Sequence, residues 1–489
     1  MLVSLFGETQ YCFAKESAPI EYLILANNFV KQDTSWAKVV TTLQKKHNGA
    51  PVEYFASHPK ELLSKVQEQK PRYVAIVDKP ENLNRDYVIE VNMFSREVDK
   101  DIYSDFLWGI ITGYDAQNAL KMVNNGWNPL VLNSCVSTVM ETEDGRWFDS
   151  YAYMDDQNMG IYGYKMPWEN EMTRYRVSKY VPATRGTKQV PDLLPIFYDM
   201  YKTIDPDVII TASHGSQSAL EMPFSAGFIR CNEGNLYAQL PHGNKNLVES
   251  GKRRVYLPIG NCLIGDIKNS KNSFSVAWMK SANVASLVGY VVTTWHGRSG
   301  WGMLKYLLTT PGRYTISESF FLNQQDMLKQ MNDWYPSLQK TPFFLGKKGT
   351  KESRAELEDV LGRKPSNDEL GFWHDRDVLA NYGDPKWDVR LKEIEKENDF
   401  KVTTKIDGKK CILEIETGLN YDPKMIEGNK FKQVHVLDLP FSYFFPTRLN
   451  NPRLAKDQKW EVALDENFIL VYNNNFKPNN KYTIVLDID

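Results

Sequence analysis

Two stretches of the chain end an apolar run on a residue that can do covalent chemistry. The first, Asp207-Val-Ile-Ile-Thr-Ala-Ser-His214-Gly215-Ser216, delivers a histidine directly before a glycine. The second, Val255-Tyr-Leu-Pro-Ile-Gly260-Asn261-Cys262-Leu-Ile-Gly265-Asp266, delivers a cysteine in the same way. The two are 262 − 214 = 48 residues apart, enough for a crossover between adjacent parallel strands. Ligands of open parallel sheets bind outside the carboxyl ends of strands, where both residues then stand. A cysteine beside a histidine is a nucleophile with its general base, the imidazole taking the thiol proton or stabilising the thiolate. Gly215 lets the backbone turn so that its N–H faces a reacting carbonyl, and the Cys262 N–H is the second donor of an oxyanion hole. The plainer alternatives stay open on this ground alone: a satisfied polar histidine and a buried, inert thiol.

Other chemistries have less to stand on. The five cysteines, Cys12, Cys135, Cys231, Cys262 and Cys411, are scattered with no CxxC, which argues against a disulfide framework or a thiolate zinc site. The seven histidines show no i,i+4 pair, so the HExxH type of metal site is absent. There is no G-x-S-x-G elbow, although Gly297-Arg-Ser299 comes close, and no P-loop. In Trp295-His296-Gly297-Arg298-Ser299-Gly300-Trp301-Gly302 the glycine spacing is reversed from a dinucleotide fingerprint, and Trp295 reads as a wall at a pocket rim or as ordinary aromatic packing.

The elements that must hold these residues follow an α/β order. Strands are expected at Ile20 to Ala26, Val52 to Ala56, Tyr73 to Val77, Tyr87 to Met93 and Leu107 to Ile111. Helices are expected at Trp36 to Lys46, Pro59 to Glu68 and Asp115 to Val123. Pro129 to Val136 opens a second series, continued by the helix Leu193 to Tyr201 and the strands Val208 to Thr211, Val255 to Ile259 and Ser286 to Thr294. This alternation implies a largely parallel sheet covered by helices. Cys231 to Arg254 is long enough for a hairpin over the site, and 341 to 370 is a charged excursion with a helix at Lys351 to Leu361. Beyond about residue 395, Val402 to Ile406, Cys411 to Thr417, Gln433 to Leu437, Trp460 to Ala463, Phe468 to Tyr472 and Lys481 to Leu486 are short β segments that predict a small β-sandwich.

The 489 residues suit about three domains, or one large α/β unit with a small module. Lys plus Arg number 59 against 61 Asp plus Glu, and this balance excludes a chain-wide basic nucleic-acid surface. With 42% hydrophobic and 25% charged residues, wholesale disorder is not expected. No apolar run approaches a membrane span, and Met1-Leu-Val-Ser-Leu-Phe6 has no basic segment ahead of Gly7 and Glu8, so no secretory signal is expected there.

The strand-His214-Gly215-Ser216 block followed by the strand-Cys262-x-x-Gly265-Asp266 block resembles the signature blocks of the gingipain-like cysteine peptidases, in the clan of caspases and legumains. Arg72-Tyr-Val-Ala-Ile-Val-Asp78, Phe106-Leu-Trp-Gly-Ile-Ile-Thr-Gly113, Ala285 to Thr294 with Trp295, and Tyr382-Gly383-Asp384-Pro385 extend the likeness from about residue 20 to the end. The Gln-Ala-Cys motif of caspases proper is absent. The resemblance implies an α/β fold: a caspase/gingipain-like parallel-sheet catalytic region of two subdomains, 20–127 and 128–394, after a segment 1–19. A C-terminal immunoglobulin-like β-sandwich, 395–489, would follow. It implies a cysteine endopeptidase in which Cys262 attacks the peptide carbonyl and His214 protonates the leaving amine. Glu141, or next Glu143, would steady the histidine, and Asp155 and Asp156 would line the pocket with Trp295 for a basic P1 side chain. The implied partner is a protein or peptide substrate, with no nucleic acid, no membrane span and no required cofactor, calcium being admitted as a structural ion. A secreted or cell-envelope bacterial setting goes with the family. The rival from another class is a catalytically silent gingipain-like scaffold that binds protein or glycan surfaces.

Overall fold

The computed structural model describes residues 19–139, 145–240, 242–247, 251–341, 350–394, 399–421 and 439–489. A 12-stranded sheet forms the main body. Its first strands in space are Val52–Phe55, Tyr22–Asn27, Tyr73–Val77 and Leu107–Ile111, each parallel to its neighbour. Leu379–Gly383 follows, its Tyr382 paired with Ile110, and runs antiparallel to Val284–Tyr290. Arg254–Leu257, Val208–Ile210, Ser134–Ser137 and Ser150–Met154 then continue in parallel, and Ile161–Lys165 and Thr173–Arg176 close the far edge antiparallel. Tyr22–Asn27, Tyr73–Val77, Leu107–Ile111 and Val284–Tyr290 are buried along their whole length, as strands covered on both faces by helices must be.

The covering helices start where a side chain can satisfy their free N–H groups. Asp33 caps Thr34–Lys46 and Asp115 caps Ala116–Asn125. One expected element is corrected: Tyr87 to Met93 is not a strand but part of the helix Arg85–Phe94. Asn84 accepts from the Tyr87 N–H to start it, and Tyr87, Val88, Ile89, Val91, Asn92 and Phe94 are all buried. A helix buried nearly all round carries little amphipathic period, so the β-branched stretch Val88-Ile-Glu-Val91 looked like a strand.

The expected turn at Tyr382-Gly383-Asp384-Pro385 is an anchor. Asp384 meets Lys46 Nζ at 2.6 Å and His47 Nε2 at 2.7 Å, and the Tyr22 hydroxyl donates to it at 2.9 Å. The stretch Cys231 to Arg254 contributes Asn235–Leu240 and Gly243–Asn246 to a five-stranded antiparallel sheet that begins at Gly215–Ser216. Its buried Leu236 and Ala238 lean on the helices Leu193–Ile204 and Phe274–Ser281, so the hairpin covers helices. The segment 341 to 370 holds the helix Thr350–Leu361 and the start of a second, Asn367–Asp375.

The C-terminal region forms two small antiparallel sheets. One joins Phe400–Asp407, Lys410–Thr417, Lys481–Asp487 and Arg453–Leu454, and the other Phe441–Phe444, Phe468–Val471 and Val462–Asp465. The strand expected at Gln433 to Leu437 lies outside the described residues. Cys411, Leu413, Ile415, Ile484 and Leu486 of the first sheet share one core with Phe441, Ile469 and Val471 of the second. The alternate residues Phe468 and Leu470 point the other way and join the main core, Phe468 edge-on to Tyr103 and Phe321.

Candidate active site

The strands Val208–Ile210 and Arg254–Leu257 are parallel neighbours with Ile210 opposite Leu257. Beyond them the two chains remain tied. The Thr211 N–H donates to Leu257 O (3.1 Å), the Thr211 hydroxyl to Asn261 Oδ1 (2.5 Å), and Asn261 Nδ2 to Ser213 O (2.9 Å) and Ser213 Oγ (3.2 Å). Asn261 is fully buried, so these bonds are shielded from water. His214 and Cys262 are the next residues on either side of this tie, and they leave the sheet edge as neighbours. A Cβ on Gly215 would stand 2.8 Å from Cys262 O, so glycine alone allows the two loops to close up here.

Cys262 is half-buried and free, and its Sγ lies 3.8 Å from Thr294 O. The Cys262 N–H donates to no protein group among the described residues, which leaves it available to a developing oxyanion. Leu263 follows with φ 61°, a left-handed conformation that a branched apolar residue seldom adopts and that costs on the order of 1 kcal/mol. The bonds that hold it there are Leu263 N–H to Val292 O (2.9 Å) and Gly265 N–H to Tyr290 O (2.8 Å). They clamp the cysteine loop to the end of Val284–Tyr290, so three consecutive parallel strand ends meet at Cys262.

His214 is exposed, and its side chain makes no hydrogen bond among the described residues. Its carbonyl accepts from the Glu221 N–H at 2.9 Å, across the hairpin of Gly215–Ser216 and Ala219–Glu221. Glu221 therefore sits opposite His214. Its buried carboxylate takes Arg185 Nε at 3.1 Å and the Thr184 hydroxyl. Sequence reasoning missed this acid because the hairpin turn at Gln217-Ser218 was not recognised. Glu141 and Glu143 lie outside the described residues. The chain reaches them from Thr138, whose N–H donates to Ile210 O (2.9 Å) and whose hydroxyl accepts from the Ala212 N–H (3.2 Å), beside the strand that carries His214.

Trp295 is 41% exposed and follows Thr294 directly. It tilts over His296 at 5.6 Å and meets His374 edge-on at 6.4 Å. Arg298 pairs with Asp368 at 2.9 Å and lies 3.9 Å from the Phe372 ring, so the helix Asn367–Asp375 forms the outer side of this rim. No helix is expected there from the sequence: the charged excursion 341 to 370 takes in only its first residues, and the helix expected within it is Lys351 to Leu361.

Asp155 and Asp156 follow Ser150–Met154, three strands from the one that carries Cys262, or about 14 Å across the sheet at the usual strand spacing. Asp155 is buried and committed to its own turn: Oδ1 accepts from the Gln157 and Asn158 N–H groups (2.9 and 2.7 Å), and Oδ2 from Asn158 Nδ2 (2.9 Å).

No protein-family model and no curated protein matches the sequence. Among solved structures the chain is similar to the Arg-specific cysteine proteinase gingipain R, at 9% identity and a TM-score of 0.44, with 98% of this chain and 94% of that one covered. A complex of the pro- and mature domains of RgpB from Porphyromonas gingivalis is similar at 8% identity and a TM-score of 0.41, with 96% and 93% covered. A further structure, described as a protease, matches at 9% identity and a TM-score of 0.43, with 82% and 86% covered.

Proposed function

We infer that the chain is a cysteine endopeptidase that cleaves protein or peptide substrates through Cys262 and His214. One observation supports this reading: the buried Asn261 tie, which joins the two loops that carry these residues beyond adjacent parallel strands. His214 takes the thiol proton, and Cys262 Sγ bonds to the substrate carbonyl carbon while the oxyanion accepts from the Cys262 and Gly215 N–H groups. The C–N bond then breaks, His214 returns the proton to the leaving amine, and water hydrolyses the thioester to free the acid and the thiol. Glu141 or Glu143 would orient the imidazole from the neighbouring strand end. A basic P1 preference through Asp155 and Asp156 has less support, because the Asp155 oxygens are occupied by its own turn.

On this reading 20–127 and 128–394 are two subdomains of one catalytic region, 395–489 is an immunoglobulin-like module, and the setting is a bacterial envelope or the secreted space. The silent-scaffold reading is favoured by one observation, the direction of the Cys262 thiol toward Thr294 O. The experiment that separates the two is exposure to a peptidyl acyloxymethyl ketone with mass spectrometry, alongside turnover of a peptide library. A covalent adduct on Cys262, lost in His214→Ala, supports the peptidase. An unmodified Cys262 with no turnover supports the scaffold.

A further inference from the structure

Where the main body meets the second C-terminal sheet lies a cavity of about 490 Å³, a size that suits a small organic molecule. Four of its lining residues are cationic: Arg72, just ahead of Tyr73–Val77, then Arg313, Lys386 and Arg390. Two of these charges are already matched. Lys386 Nζ lies 3.1 Å from Glu21 Oε1 at the exposed mouth, and Arg390 Nε donates to Asp388 Oδ1 at 2.5 Å. Arg72 and Arg313 have no carboxylate at ion-pair distance among the described residues. The remaining acid of the wall, Glu318, is engaged by the cap of the helix Ile316–Trp334, its Oε2 accepting from the Thr315 N–H at 2.8 Å. Two guanidiniums against one carboxylate leave a surplus positive charge at the seam.

Both guanidiniums are held in place yet only partly satisfied. Arg72, 3% exposed, lies 4.3 Å from the centre of the Phe444 ring and donates from Nη1 to Pro446 O (3.0 Å) and from Nη2 to Phe445 O. Arg313 lies 3.9 Å from the centre of the Phe400 ring and donates from Nη2 to Phe400 O at 3.2 Å. Each guanidinium has five N–H donors, so three carbonyls satisfy only a part of the pair. The Nε–H of both is buried without an acceptor, and a buried donor left unpaired is costly. Tyr73 adds a hydroxyl with no partner among the described residues, and burial raises its pKa, so it stays a donor.

We propose that this cavity binds a small organic carboxylate, its oxyanion held by Arg72 and Arg313 and its apolar body against the aromatic wall. A carboxylate supplies the single negative charge that the surplus calls for, and its planar pair of oxygens matches the guanidinium fork. Tyr73, Tyr443 and Phe444 give the wall ring surface that a bare inorganic ion would leave uncovered. A ligand seated there touches the start of Tyr73–Val77 and the chain at 443–446 together. It fastens the C-terminal sheets to the main body by a contact independent of the chemistry at Cys262.

The test titrates the full chain with benzoate, phenylacetate and 3-phenylpropionate by calorimetry, with inorganic phosphate and benzyl alcohol as controls. At least one of the carboxylates should bind at a stoichiometry of one with a Kd below about 1 mM. The same ligand should slow hydrogen–deuterium exchange at 72–73, 313–318 and 443–446 and leave the Cys262 loop unchanged. Cys262→Ser should bind as tightly as the wild type, which separates this cavity from the catalytic cleft. Arg313→Gln should weaken binding about tenfold or more. If that variant does not fold, Arg313→Lys, which keeps the charge but not the fork, should show a loss of about threefold or more. Absence of carboxylate binding, protection confined to other segments, or Arg313 variants that bind like the wild type would overturn the proposal. Phosphate binding as tightly as the best carboxylate would refute the assignment to an organic acid, and benzyl alcohol doing so would refute the role of the guanidiniums.

Discussion

If the tie through Asn261 positions the catalytic pair, then Asn261→Ala should damage turnover far more than a surface change and by a route separable from global unfolding. The substitution removes three hydrogen bonds. Thr211 Oγ1 keeps the Tyr256 hydroxyl at 3.1 Å and Ser213 Oγ keeps Glu221 O at 2.6 Å, so those two groups retain partners. Ser213 O loses its side-chain donor beneath the loop. One orphaned carbonyl at about 1–3 kcal/mol and the net loss of two bonds at about 0.5–1.5 kcal/mol each give a stability cost of about 2–6 kcal/mol. The kinetic cost comes from looseness, for a misplacement on the order of 1 Å costs about 100-fold in rate. We expect kcat/KM to fall about 100-fold and Cys262 labelling by the acyloxymethyl ketone to slow by a similar factor, at a temperature where circular dichroism shows the variant folded. Asn261→Asp keeps the acceptor for Thr211 but sets a carboxylate oxygen against Ser213 O, so it should be at least as slow. A folded Asn261→Ala within threefold of wild type in both assays would refute the claim that this tie sets the geometry of the pair.

Brief iodoacetamide treatment near pH 6 should label Cys262 ahead of Cys135, Cys231 and Cys411; burial holds all three of those thiols above their ordinary range, Cys231 up to about 11, and peptide mass mapping reads the order. Asp384 lies far below the usual carboxylate range because Lys46 and His47 outweigh its burial, so its contribution is present above about pH 4 and fades as pH falls toward its folded value. Asp384→Asn should therefore cost about 3–5 kcal/mol in urea unfolding at pH 7, and the gap to wild type should narrow at pH 3; a constant gap would contradict the linkage. Phe468→Ala should cost about 3–5 kcal/mol by the same assay, since its ring fills the seam between Tyr103 and Phe321, and a loss under 1 kcal/mol would mean that the C-terminal sheets contribute little there.

The sequence was most legible where burial is simplest. Strands covered on both faces are short apolar runs bounded by polar or glycine residues, so Tyr73–Val77 and Leu107–Ile111 were read with their limits, and Val208–Ile210 and Arg254–Leu257 to within one or two residues. The placement of His214 and Cys262 beyond adjacent strand ends followed from that pattern. Arg85–Phe94 was misread because its burial erased the helical period, although Asn84 three residues before Tyr87 was a readable cap. The capping box of Ser366 and Glu369 likewise announced the helix that reaches the Trp295 rim. Asn261, Glu221 and Thr294 could not be singled out, because what makes each of them matter is a partner 32 to 50 residues away or across an unrecognised hairpin.

Leu379–Gly383 sits inside the large sheet, between Leu107–Ile111 and Val284–Tyr290, yet it is made 268 residues after the first of these neighbours ends (379 − 111). During synthesis both neighbours emerge with one edge unpaired and must wait for the strand that separates them. Waiting edges of this kind pair with whatever extended chain is near, including another nascent copy. The molecule's most vulnerable interval is thus the time the ribosome spends between Tyr290 and Gly383. Chaperone dependence, and the yield at different translation speeds, should be governed by that stretch more than by the chemistry of the site.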